Sequence, residues 1–265
     1  MNIDQNLLQP DKCVTCPSHN SIELMRLGVD MQDWDYVVGL AGNPNTGKST
    51  IFNSLTGLRQ HTGNWPGKTV SRMEGGYEYE STRYKVVDLP GAYSLLSTSI
   101  DEEIARNFIL FGRPDVTVVV VDATRLERNL NLALQILEIT DRAVLCLNLM
   151  DEANKHGIVI DERCLARDLG IPVVPTVARN QEGLPYLIQT IGDVASGKIK
   201  CNPYRSNKKI GEMSVIVKQL TEKLESIYPD LPNPRWLALR LLDGDSDIIS
   251  ALSEGKLQSL ANSVK

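Results

Sequence analysis

The chain has 265 residues, enough for one or two domains with a substantial core. Its 28 Lys and Arg against 33 Asp and Glu give a net charge of −5 without a long basic cluster, which disfavours nucleic acid as a partner. Hydrophobic content is 42%, no apolar run reaches the length of a membrane span, and the N-terminus lacks the basic start and apolar core of a secretory signal, so a soluble cytosolic chain is expected.

Residues 1–35 read as an extension outside the core. They carry Cys13-Val14-Thr15-Cys16-Pro17-Ser18-His19, a C-x-x-C-x-x-H group. Cys13, Cys16 and His19 are soft or borderline ligands that could hold Zn²⁺ or Fe²⁺, with Asp11 or another chain as the fourth. The competing reading is a flexible, reduced cytosolic tail, favoured by the lack of a second cysteine pair. A short amphipathic piece follows, with Ile22, Leu24, Met25 and Leu27. Of the other cysteines, Cys146 and Cys164 read as small core residues and Cys201 as part of a linker.

From Tyr36 the chain alternates between the two periodicities. Strands are expected at Tyr36 to Ala41, in part of Lys68 to Tyr79, and at Arg83 to Val87, Val116 to Asp122, Ala143 to Asn148 and Pro172 to Pro175. Helices are expected at Lys48 to Thr56, Asp101 to Phe111, Glu127 to Ile139, Asp161 to Leu169 and Leu184 to Ala195. This is the pattern of an α/β fold, a mainly parallel, doubly wound sheet, over residues 36–197. Residues 198–265 carry no further β-like run. They read as a small all-α domain of short helices separated by Pro229, Pro232, Pro234 and Gly244, the clearest marked by Met213, Ile216, Val217, Leu220, Leu224 and Ile227.

Between the first strand and first helix stands Gly42-Asn43-Pro44-Asn45-Thr46-Gly47-Lys48-Ser49, which fits G-x-x-x-x-G-K-[ST]. Glycines let consecutive N–H groups converge on phosphate oxygens, and the following helix N-terminus adds its positive dipole end. Lys48 is placed to reach the β- and γ-phosphates and Ser49 to ligate Mg²⁺, with Thr50 among the expected nucleotide-binding residues. Asp88-Leu89-Pro90-Gly91 ends another apolar strand, where Asp88 can hold Mg²⁺ through water and the Gly91 N–H can meet a γ-phosphate. Thr69, beside Gly67 and Lys68, suits a switch hydroxyl that completes the Mg²⁺ shell only with the γ-phosphate present. Asn148-Leu149-Met150-Asp151 ends a further strand; its carboxylate can accept from N1–H and N2–H₂ of guanine, a pattern adenine lacks.

Taken together, GNPNTGKSTIFNSLTG, HTGNWPGKTV, VVDLPGAYSL, VVVVDATRLERNLNLALQILE, LNLMDEANKHGIVID and GIPVVPTVARNQEGL resemble the G domain of the bacterial ferrous-iron transporter family FeoB, from about Tyr36 to Leu187. The resemblance implies a P-loop GTPase fold and slow, Mg²⁺-dependent conversion of GTP to GDP. It also implies a helical regulatory domain from about Lys208, and a membrane permease in the same polypeptide on the cytoplasmic face of the bacterial inner membrane. By the same resemblance Asn45 matches a position that coordinates K⁺ beside the phosphates. Gly63-Asn64-Trp65 matches the loop whose carbonyls, those of Gly63 and Trp65, complete the cation's shell. Asn45, Lys48, Thr69 and Gly91 are therefore the expected catalytic set, with turnover relying on backbone groups and K⁺ because Ala92 cannot orient water.

Three positions depart from the family pattern. Leu149 stands where the commoner N-K-x-D motif has lysine, which is usual in FeoB and implies weak binding with fast exchange. Thr176-Val177-Ala178 replaces T-S-A; the Ala178 N–H is expected to donate to guanine O6, while Val177 lacks the hydroxyl that helps order the loop. Lys68 stands in place of an apolar residue and is expected to face solvent or touch phosphate. His61 and His156 are expected on the surface. Two other function classes stay in view, a free-standing K⁺-dependent GTPase of ribosome or tRNA maturation and a nucleotide-binding regulatory module with negligible turnover. Self-association stays open.

Overall fold

A computed structural model describes residues 24–253 apart from 26, 31, 58–59, 97–98, 206–210, 230 and 232. Cys13, Cys16 and His19 lie outside the described residues. Seven strands form one sheet in the order β2-β3-β4-β1-β5-β6-β7: β1 Tyr36–Gly42, β2 Gln60–Asn64, β3 Ser71–Tyr79, β4 Thr82–Asp88, β5 Val116–Asp122, β6 Ala143–Asn148 and β7 Val173–Pro175. β1, β4, β5, β6 and β7 run parallel, while β2 and β3 are antiparallel additions at one edge.

The parallel strands read as continuous apolar runs because helices cover both faces. Every residue of β5 and β6 is buried. Helices α1 Lys48–Thr56 and α6 Leu184–Ala195 cover one face through Ile51, Phe52, Leu55, Leu187 and Ile191. The other face meets α2 Ile100–Asn107, α3 Leu126–Ile139, α4 Met150–Lys155 and α5 Glu162–Leu169. β1 lies between β4 and β5, so the loop leaving its C-terminal end sits at the topological switch point, where α/β sheets bind ligands.

Several elements differ from expectation. β2 carries polar, mostly exposed residues with no apolar alternation, so no β signal marks it. α4 is a single polar helix with one buried residue, Ala153. The helix expected to run to Phe111 is α-helical only to Asn107, then widens into π-helical Phe108–Gly112, all buried. Cys146 is a core residue, but Cys164 is only half-buried on α5. The reading of the stretch before Tyr36 as lying outside the core is corrected at two of its described residues, Leu24, 1% exposed, and Val29, fully buried among core residues.

Helices α7 Gly211–Ile227, α8 Pro234–Leu242 and α9 Ser246–Ser253 form the C-terminal part, with Pro234 opening α8 and Gly244 separating α8 from α9. Leu224, Leu231, Trp236, Leu237 and Ile248 join the core cluster shared with α3. Asn233 caps α8 by accepting from the Trp236 N–H at 3.1 Å, and its own amide donates to Glu138 O at 2.6 Å. Among the described residues, no helix is long and apolar enough to cross a membrane.

Candidate nucleotide site

The loop after β1 is shaped by two close approaches. A Cβ on Gly42 would lie 2.5 Å from Val120 O, and one on Gly47, at φ +83°, would lie 2.3 Å from Asn148 Nδ2. Any side chain at either position would push the loop off the sheet. Asn45 takes the left-handed conformation, φ 65°, and is exposed. Thr46 is buried and its hydroxyl donates to Asn43 O at 3.0 Å. Lys48 opens α1 and is ion-paired with Asp88 at the end of β4, placing the phosphate-loop ammonium and the switch carboxylate at one point. Burial raises the Asp88 carboxyl above its ordinary 3.8, and Lys48 offsets this only in part. Ser49 and Thr50 are exposed on the first turn of α1.

Asp88 is followed by buried Leu89, whose N–H donates to Leu40 O at 3.0 Å. A Cβ on Gly91 would lie 3.2 Å from Pro44, so this glycine passes directly beside the phosphate loop. Ala92 is buried, and its N–H donates to Gly42 O at 3.3 Å. On the switch side Thr69 is exposed and Gly67 is left-handed at φ 68°. Trp65 is 3% exposed, edge-on to Phe108 at 5.7 Å between ring centroids, and fixes one end of the Gly63-Asn64-Trp65 segment. Lys68 does not stand free in solvent as expected. It is half-buried, and its Nζ donates to Glu103 Oε2 at 2.8 Å, joining the switch to α2.

At the base side, Asn148 is 1% exposed and ties three loops together. Its Nδ2 donates to Thr46 O at 2.9 Å, and its Oδ1 accepts from the Thr176 hydroxyl at 3.2 Å and the Ala178 N–H at 3.1 Å. The Ala178 amide is thus already engaged, so the expected donation to guanine O6 requires that bond to be shared or exchanged. Leu149 adopts φ 64° and starts α4, which carries Met150 and Asp151. Asp151 Oδ2 pairs with Arg179, while its Oδ1 is buried and has no donor among the described residues. Arg179 as the resting partner of this carboxylate was not anticipated; its place directly after T-V-A was the available signal. Val177 is buried, and its backbone bridges to Glu182, which orders this loop without a hydroxyl at 177. Below the base region, burial pushes the Cys146 thiol up to about 12, so it stays protonated. His61 and His156 are exposed.

Thus the parallel strands end on one side of the sheet, and the loops there carry the Gly42–Ser49 segment, the Asp88 carboxylate and a buried Asp151 oxygen lacking a donor among the described residues. The family described as Ferrous iron transport protein B matches residues 36–191, spanning all of these loops. The chain belongs to the ferrous iron transport protein B family. The family's FeoB cytosolic helical domain matches residues 212–265. The chain is similar to the Fe(2+) transporters FeoB of Shigella flexneri and of Escherichia coli (strain K12), each 40% identical over 218 residues. These alignments cover 78% of this chain and 27% of the relatives, so the chain spans about a quarter of their length. Among solved structures, it is similar to the cytosolic domain of T. maritima FeoB in a GDP form, with TM-score 0.76 and 38% identity over 84% of this chain and 85% of that one. The cytosolic domain of L. pneumophila FeoB gives 0.75 and 35%, over 84% and 88%. The fold is accordingly the P-loop GTPase fold of the FeoB G domain, followed by a helical domain.

Proposed function

We propose that this chain binds and hydrolyses GTP as the nucleotide switch of a bacterial ferrous-iron transporter. The observation that carries the reading is the buried Asp151 Oδ1, without a donor among the described residues, at the end of the sheet that also carries the Gly42–Ser49 loop. A guanine supplies donors to such an acceptor, and adenine leaves it unpaired. Relatives solved in GDP and GMPPNP forms support the same choice of base.

The hydroxyls of Ser49 and Thr69 and the carboxylate of Asp88 are hard oxygen donors that suit Mg²⁺, and Asn45 with the carbonyls of Gly63 and Trp65 suits K⁺. Bound there, the two cations would neutralise charge on the β- and γ-phosphates. The chain's own groups do the rest. Lys48 leaves Asp88 for the phosphates, the Gly91 N–H donates to the γ-phosphate, and Thr69 moves inward only while that phosphate is present. Asp88 and Gly91 lead through residues 92–99 into α2, where buried Arg106 lies 3.8 Å from Asp245 between α8 and α9. This pair gives the helical domain a direct route for sensing the switch. In the whole protein the switch would act on Fe²⁺ passage through a permease in the same polypeptide, with this part at the cytoplasmic face of the inner membrane. A Zn²⁺ or Fe²⁺ site on Cys13, Cys16 and His19 stands against the favoured reading of a metal-free tail, and metal analysis of a Cys13→Ser, Cys16→Ser variant against the parent decides between them.

Single-turnover hydrolysis of GTP and ATP, each in K⁺ and in Na⁺ buffer, tests the proposal. GTP turnover faster in K⁺, with ATP not hydrolysed, is the expected result. Equal rates in the two salts would remove the K⁺ role, and no GTP turnover would leave a binding module.

A further inference from the structure

The family match begins at residue 36, yet the described residues between Leu24 and Asp35 are built into the domain beside the switch. Leu24, Met25, Gly28 and Val29 are joined as at a helix end, the Val29 N–H donating to Leu24 O at 2.8 Å and the Gly28 N–H to Met25 O at 2.9 Å. Gly28 is left-handed at φ +82°, and Leu24 and Val29 are both buried, the hydrophobic contact that accompanies such a stop. The segment then runs along β3 and β4 to Asp35, whose N–H donates to Arg83 O at 2.9 Å.

Charge accounts for this docking. Glu74 on β3 lies 2.7 Å from Arg72 Nε and 2.7 Å from Lys85 Nζ, with all three side chains largely buried. One carboxylate cannot neutralise two cations, and buried donors without acceptors are costly. The segment supplies the missing acceptors as backbone carbonyls. Arg72 Nη1 donates to Leu27 O at 3.0 Å, and Lys85 Nζ donates to Asp30 O at 2.5 Å. Two glycines of the domain make room. A Cβ on Gly76 would lie 2.1 Å from the Trp34 ring, and one on Gly112 would lie 2.9 Å from Leu27 Cδ1.

The same Arg72 reaches the switch. Its guanidinium stands 5.5 Å from the Trp65 ring centroid, and Phe108 packs edge-on with the same indole. A Cβ on Gly28 would meet Arg72 Nη1 at 2.3 Å and Pro66 Cγ at 3.0 Å, so the turn, the guanidinium and the switch loop touch at one spot. We propose that the described residues between Leu24 and Asp35 are an intramolecular strap that braces the switch loop at 60–70, with Arg72 as the positioning residue between Leu27 O and the Trp65 ring. Its consequence for turnover rests on the reading above, in which Gly63 and Trp65 contribute carbonyls to the phosphate site; the brace itself does not.

The test compares Arg72→Ala, Gly28→Val and Arg72→Lys with the parent chain by amide hydrogen exchange in the nucleotide-free protein, and by the K⁺ concentration giving half-maximal GTP turnover. In Arg72→Ala and Gly28→Val, amides of 60–70 should exchange at least tenfold faster while those of the phosphate loop, 42–50, stay within twofold. The half-saturating K⁺ should rise severalfold with little change in the KM for GTP. Arg72→Lys, which keeps the charge but loses the planar fork, should fall between. Unchanged exchange at 60–70 in both variants overturns the proposal, as does an equal rise at 42–50, which would mark Arg72 as only a general stabiliser. If the parent shows no K⁺ stimulation, the cation reading fails and the exchange result alone decides the strap.

Discussion

On the base and phosphate-loop side of the site, Asn148 lies 1% exposed and spends both ends of its amide on neighbouring loops. On the switch side, Thr69 is exposed and β2 is an edge strand of mostly exposed polar residues. There the fixed points are the buried Trp65 ring and the Lys68–Glu103 pair. The first half is pre-formed, so little ordering cost opposes nucleotide binding. The second half is left conditional, and only a ligand that interacts differently with its two arrangements can shift it. A switch needs both, a cradle that does not depend on nucleotide state and a loop that does.

The largest effect expected from breaking this contrast is that of Asn148→Ala. The substitution strands the Thr46 carbonyl and the Ala178 amide, while the Thr176 hydroxyl keeps Cys146 Sγ and Leu147 O; at about 1–3 kcal/mol for each buried group left unpaired it should cost about 3 kcal/mol or more of stability. Thermal unfolding and fluorescent GDP titration should show a lower Tm and an affinity reduced roughly 100-fold or more. Normal binding with a parental Tm would show that the loops hold themselves without Asn148. Asp151→Asn comes next, because it removes the acceptor that pairs with two guanine donors while leaving the loop connections of Asn148 intact. GTP affinity should fall roughly 100-fold, about 3 kcal/mol, and xanthosine triphosphate should gain, since an amide presents one donor and one acceptor to its base edge. Unaltered preference for GTP would remove Asp151 from base recognition.

What the residues announced divides along the same line. The phosphate loop, Asp88-x-x-Gly91 and Asn148-x-x-Asp151 were legible because strand ends with fixed glycine and carboxylate spacing are local features. The strands β1, β4, β5 and β6 were legible because burial on both faces leaves apolar runs. β2 was not, since an edge strand of Gln60, His61, Thr62, Gly63 and Asn64 carries no period-2 signal and exists only by pairing with β3. The pairings Arg179–Asp151 and Lys68–Glu103 join residues distant in the chain, and no local pattern reports them. Leu24 and Val29 were misplaced outside the core for a related reason. Few apolar positions mark this segment, too few for periodicity to show which face is buried, and the Arg72–Glu74–Lys85 cluster that fixes it arises only when β3 and β4 meet.

Asn45→Ala sharpens the contrast from the switch side without touching the cradle's connections, since Asn45 is exposed and makes no side-chain hydrogen bond among the described residues. K⁺-stimulated turnover should fall roughly tenfold, toward the rate in Na⁺, as expected when a positioned charge-stabilising group is lost. GDP affinity should stay within about twofold, because uniform binding is not what such a group supplies. A parallel loss of GDP affinity would return Asn45 to a turn-forming role, its left-handed φ of 65° being tolerated by asparagine in either case.

The smallest effect belongs to Lys68→Ala. Its pair with Glu103 joins the switch to α2, but the two side chains are 34% and 32% exposed, and exposed pairs are worth about 0–1 kcal/mol. Nucleotide release, followed by stopped-flow, should therefore change by no more than about fivefold. The change should also vanish near 1 M choline chloride at fixed K⁺, where the Debye length is about 3 Å. A double-mutant cycle with Glu103→Gln separates the two roles open to this lysine. If it acts through α2, Lys68→Ala has no further effect once Glu103 is neutral. A loss that exceeds tenfold and persists in the Glu103→Gln background would instead mean that Lys68 leaves Glu103 for the phosphates, making the pair a resting contact like that of Lys48 with Asp88.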